Sequence, residues 1–267
     1  MGMITITNLL AFANVMAASI IVILAFSLLA YNFTYNFRTE VAWTFAILLA
    51  CVMSTFASDV ALDQVTTPAS AESWLRFQWL GIAMLPAGYY LFSLAVLKTT
   101  NYKLTTRRWV GYTVLALSAV AAVSALFGTQ IVGMLRFEPP LSYLEAGPLF
   151  WLFVVFFTLA ALLSLRNLWK ARQRCLTASS RKRITYLLIG FPAPGVGVFP
   201  YLITLSAFSA GEQSSAWILL ISLLVNLGVA VGLVLLAYTV AYFGVLTPDR
   251  VVRYRMVRFF MRGPVVA

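Results

Sequence analysis

Histidine is absent from all 267 residues. That excludes imidazole ligation of haem iron or chlorophyll magnesium, most zinc sites, and any histidine-based acid–base pair. Charge is scarce as well, at 10% of residues against 62% hydrophobic ones, with a mean hydropathy of +0.91. A soluble domain of this size cannot cover so much apolar surface with so few charges, so lipid is the expected solvent for most of the chain. The two cysteines, Cys51 and Cys175, fall in an apolar run and on a basic connection. That placement suits no disulfide, and two thiols alone are too few for a metal site. Neither P-loop, GxSxG nor HExxH occurs, and catalysis by this chain is not expected.

What the chain does contain is length in apolar runs. Runs of about 20 apolar residues match a helix crossing roughly 30 Å of hydrocarbon. They lie near 9–32, 41–62, 74–97, 108–128, 148–169, 184–206 and 215–244. Lipid cannot satisfy open backbone groups, so the expected fold is all-α, a seven-transmembrane helix bundle occupying residues 1–246. Nothing resembling a cleavable signal peptide precedes the first run, and the first helix is expected to stay as an anchor.

Orientation follows from the cations. All of the 19 Lys and Arg except Arg76 and Arg136 fall on one set of connections, while Asp59, Asp63, Glu72, Glu138, Glu145 and Glu212 gather at the other face. The positive-inside rule then places the N-terminus outside and the C-terminus in the cytoplasm. The net charge of +11 is read as topology, and no nucleic-acid partner is expected. The four lysines, Lys98, Lys103, Lys170 and Lys182, all lie at the basic boundary. A retinal Schiff base needs an amine inside the bundle, so a retinal protein of the usual kind is excluded.

Several residues interrupt the apolar pattern. Span six, opening on "RKRITYLLIGFPAPGVGVFPYL", carries Pro192, Pro194 and Pro200 among Gly190, Gly195 and Gly197. Proline removes a backbone donor and clashes with the preceding turn, so this span is expected to be broken near Gly195. The break either lines a ligand pocket or is a kink whose small residues allow close packing. Asp59 and Arg76 approach the same end of spans two and three, and an ion pair joining them is expected, with Gln78 extending it. Asn226 in span seven reads as interhelical glue, and Trp74, Trp79, Trp151 and Trp217 read as interfacial anchors. Asp59, Arg76, Gln78, Pro192, Pro194, Gly195 and Asn226 are therefore the candidate ligand-binding set. Residues 247–267 space Arg250, Arg253, Arg255, Arg258 and Arg262 among Val, Met and Phe. This is the pattern of a basic amphipathic helix on an anionic membrane surface or against a partner.

Three stretches carry a resemblance. They are "WLRFQWLGIAMLPAGYYLFSL" from Trp74 to Leu94, the basic "RKRITYLLIG" leading into prolines, and "AYFGVLTPDRVVRYRMVRFFMRG". Together the chain resembles the seven-transmembrane N-terminal sensor region of bacterial histidine kinases and related signalling proteins. The resemblance implies a module in the bacterial inner membrane that binds a small or apolar ligand and signals to a cytoplasmic effector. Here about 23 residues follow span seven (245–267), too few for a kinase or cyclase module. A second expectation therefore stands beside the first: a non-catalytic subunit of a larger membrane assembly, contacting lipids, quinone or carotenoid.

Overall fold

The computed structural model describes residues 2–36, 39–102, 105–137, 142–198 and 215–244. Its long helices are α1 (Gly2–Asn36), α2 (Glu40–Leu62), α3 (Pro68–Lys98), α4 (Thr105–Phe127), α5 (Phe150–Arg174) and α7 (Ser215–Gly244); α6 (Ala178–Gly190) is shorter. Six helices are long and apolar enough to cross a membrane, so the chain is a multi-pass membrane protein. The six match the first five expected spans and the seventh. Their ends are set by local chemistry: the Thr39 and Thr177 hydroxyls accept the backbone N–H of Ala42 and Ser180 at the starts of α2 and α6. After α3, Asn101 takes the left-handed conformation at φ 58° that asparagine tolerates, which turns the chain toward α4.

Span six is broken, though at residues 191–192 rather than near Gly195, which lies within the helical stretch that follows. Helix α6 stops at Gly190, residues 191–192 form a turn, and residues 193–198 are helical again. The rest of that span lies outside the described residues, as do Pro200, Glu212 and the whole 247–267 segment with its five arginines.

The all-α expectation needs one correction. Between α4 and α5 the chain forms an antiparallel hairpin of β1 (Val132–Arg136) and β2 (Tyr143–Ala146), pairing Val132 with Ala146 and Arg136 with Tyr143. Val132 and Leu144 bury their side chains, while Arg136 and Glu145 form an ion pair at 2.5 Å on the exposed side. Alternating burial and a cross-strand charge pair are sufficient local reasons for a strand pair outside the hydrocarbon. The hairpin marks one end of the bundle, and the α1–α2, α3–α4, α5–α6 connections mark the opposite, basic end.

Helix α3 is the central element, with 83% of its apolar window buried against 22–50% for the other five. It packs on α2, α4 and α5, while α1 packs on α2 and α7, and α6 packs on α5 and α7. Close approach of α3 to α2 depends on Gly81, where an added Cβ would lie 2.5 Å from the Cys51 carbonyl and clash with Ser54 Oγ. Trp79 belongs to this core rather than to an interfacial belt. It is 3% exposed and its ring contacts Phe150 and Phe153. Its position follows from α3 being surrounded by helices. Trp74, Trp151 and Trp217 are exposed at the hairpin end. Cys51 and Cys175 are both buried and unpaired.

Candidate functional site

At the hairpin end, α1, the end of α2, the hairpin and α7 enclose a cavity of about 410 Å³. Its polar lining is Asn8, Asn14, Asp59, Asp63, Ser142, Ser222 and Asn226. Asn14 ties α1 to α7: its Nδ2 donates to the Leu219 carbonyl at 2.7 Å, and its Oδ1 accepts from Asn226 Nδ2 at 3.1 Å. The expected role of Asn226 as interhelical glue is therefore observed, and the same amide also lines the cavity. Amides inside apolar helices bond across the interface because lipid offers them no partner.

Asp59 is held from behind. Gln78 Nε2 on α3 donates to Asp59 Oδ1 at 2.5 Å. The second carboxylate oxygen of Asp59 takes no hydrogen bond from the described residues, and the residue lines the cavity. With Asp63 one turn further on, two carboxylates and three amides converge on one space. Such a lining favours a small ligand carrying hydrogen-bond donors or positive charge.

The expected Asp59–Arg76 ion pair does not form. Arg76 Nε pairs with Glu72 at 2.9 Å, and its Nη1 donates to the carbonyls of Ala125 at 3.0 Å and Gly128 at 3.1 Å. The guanidinium thus caps the last turn of α4, where unpaired carbonyls and the negative end of the helix dipole favour a cation. The geometric reason is simple. Positions 76 and 78 differ by about 200° around a helix, so Gln78 faces α2 while Arg76 faces α4. The sequence grouped these residues by depth and missed their opposite faces.

Pro192, Pro194 and Gly195 lie away from the cavity and are packed. Just past the break, Gly195 N–H donates to the Tyr89 hydroxyl on α3 at 2.5 Å. The Tyr89 ring lies 4.5 Å from that of Phe191, which stacks on Phe92 at 6.1 Å. Around the break, Gly190, Gly197 and Gly232 leave no room for side chains: a Cβ at Gly190 would lie 2.9 Å from the Gly232 carbonyl, one at Gly197 would lie 2.5 Å from Val229, and one at Gly232 would clash with Ala193. Backbone meets backbone here, between the broken span and α7. Among the described residues, sequence reasoning missed Asn8, Asn14, Asp63, Ser142, Ser222 and Tyr89 as site residues. Asn14 was visible as an amide within an apolar run, and Tyr89 carried no signal that separated it from the aromatic residues around it.

A family model describing the N-terminal 7TM region of histidine kinase matches residues 15–230. The chain belongs to this family. The match runs from α1 into α7 and includes Asn226 of the cavity and the whole break in span six. Among curated proteins, none matches the chain. The family relation makes this histidine-kinase 7TM region a membrane sensor module, an input domain rather than a catalytic one.

Proposed function

We propose that this module binds a small polar ligand, with amines the best-fitting class, in the cavity between α1, α2 and α7, and relays occupancy to a cytoplasmic partner. The observation that carries the reading is Asp59, which lines the cavity while Gln78 holds one of its carboxylate oxygens. Seven spans, an external N-terminus, a cytoplasmic C-terminus and a bacterial inner-membrane location complete the proposal, supported by the distribution of cations. The hairpin end is then the outer, ligand-facing end.

The relay follows from which helices meet. Ligand contacts on α1 and α7 bias their separation, and α7 is packed backbone to backbone on the broken sixth span. A ligand moves such an equilibrium only by its differential affinity for two arrangements. The break supplies a bendable element for that purpose, and residues 247–267 form the basic segment that carries the movement to a kinase effector. The test is thermal unfolding of the purified chain against a panel of small primary and quaternary amines. At least one amine is expected to raise the melting temperature of the wild type and to lose that effect in Asp59→Asn. Equal shifts in both proteins, or no shift from any amine, would remove Asp59 from the site.

A further inference from the structure

A second concavity opens at the basic end, between α2, α3 and α4, with a volume of about 510 Å³. We propose that it binds one anionic phospholipid, with the phosphodiester at Lys98 and Arg108 and the start of an acyl chain along α3. The wall supplied by α3 is Leu91, Leu94, Ala95 and Lys98. These positions repeat at three- and four-residue spacing, so they share one face and run about 10 Å along the axis. The order along that face is apolar first and cationic last, which is the order of a lipid from chain to headgroup.

Charge fixes the class. The charged residues of the groove are Glu40, Lys98 and Arg108. Glu40 and Lys98 form an ion pair, whereas Arg108 is exposed with no ion-pair partner among the described residues. The groove therefore carries one uncompensated positive charge, which matches a lipid of net charge −1 and not a zwitterionic one. The floor at Gly111 lies close against α3: a Cβ there would sit 3.2 Å from the end of Leu94 and 3.7 Å from Leu91 and the Tyr90 ring, so a side chain at this position takes up groove space. Trp43 and Tyr112 flank the groove and are exposed, as amphipathic rings are at headgroup depth. This site is separate from the hairpin-end cavity, sharing no residue with it, and does not rest on the proposed ligand or orientation.

The experiment is native mass spectrometry of the full chain released from micelles doped with equal phosphatidylglycerol and phosphatidylcholine. One phosphatidylglycerol is expected to be retained preferentially. Arg108→Gln should lower that retention about fivefold, the effect of one cation near the headgroups. Gly111→Leu, which fills the floor, should abolish it, and Arg166→Gln, at an exposed cation on α5 outside the groove, should leave it unchanged. Equal retention of the two lipids overturns the proposal, as does wild-type retention in Arg108→Gln. A dimer mass that disappears in Gly111→Leu would assign the groove to a second copy of the chain and overturn it as well. Arg108 is exposed, so its variant folds and decides the matter even if Gly111→Leu does not fold.

Discussion

Removing one oxygen at Tyr89 tests whether the broken sixth span is a stapled element. Pro192 and Pro194 both lack an N–H, and the chain turns at 191–192. Gly195 N–H therefore finds its acceptor on α3, at the Tyr89 hydroxyl. Tyr89→Phe keeps the ring and its contact with Phe191 at 4.5 Å and deletes only the acceptor. Hydrogen bonds between membrane helices contribute about 0.6 kcal/mol on average, because the lost partner is often replaced. Here replacement is hindered, because Gly195 lies against the Tyr89 ring. The cost should approach that of a buried unsatisfied donor, about 2 kcal/mol. The assay is reversible unfolding in mixed micelles, followed by tryptophan fluorescence, in two backgrounds. In the Pro192→Ala, Pro194→Ala background the span is free to straighten, Gly195 N–H regains the Phe191 carbonyl four residues back, and the cost of Tyr89→Phe should fall below about 0.5 kcal/mol. A Tyr89→Phe protein as stable as wild type, or an equal loss in both backgrounds, would refute the reasoning.

Other expectations follow from the same packing. Gly81→Val drives a side chain against the Cys51 carbonyl of α2 and should cost at least about 2–3 kcal/mol in the same unfolding assay; a neutral result would mean that α2 and α3 can separate freely. Arg76→Gln uncaps α4 and should cost about 1 kcal/mol, and combined with Asp59→Asn the losses should add within about 0.5 kcal/mol. Strong coupling between them would restore the ion pair that the geometry excludes. Cysteine introduced at Ser70 should react with an impermeant thiol reagent on intact cells and cysteine at Ser179 should not; the reverse pattern would invert the bundle.

Six of the spans were legible because their signal is collective: twenty apolar residues in a row identify a helix in lipid whatever the details of packing. The break was legible for an equally local reason, since Pro192 and Pro194 act on their own backbone. Neighbourhood was harder to read. Gln78 and Arg76 sit two residues apart and serve different helices, which helical phase alone could have shown. Trp79 looked like a boundary residue until α3 was seen to be enclosed on three sides. The hairpin was hidden because strand pairing between 132–136 and 143–146 rests on cross-strand partners such as Arg136 and Glu145, not on any apolar period. The cavity draws its lining from α1, α2, the hairpin and α7, elements far apart in the chain, and one sequence holds no record of their meeting.

Whether the cavity between α1, α2 and α7 is the input of a relay ending at the basic end can be measured without knowing the ligand. A histidine-kinase catalytic core joined after residue 267 provides a readout, autophosphorylation in reconstituted vesicles. Ser222→Trp fills the cavity, while Leu227→Ala alters α7 on an exposed position outside it. Ser222→Trp should change the autophosphorylation rate at least about threefold, corresponding to a shift of roughly 0.7 kcal/mol between two arrangements, and Leu227→Ala should not. An unchanged rate in a folded Ser222→Trp chimaera would contradict such a relay.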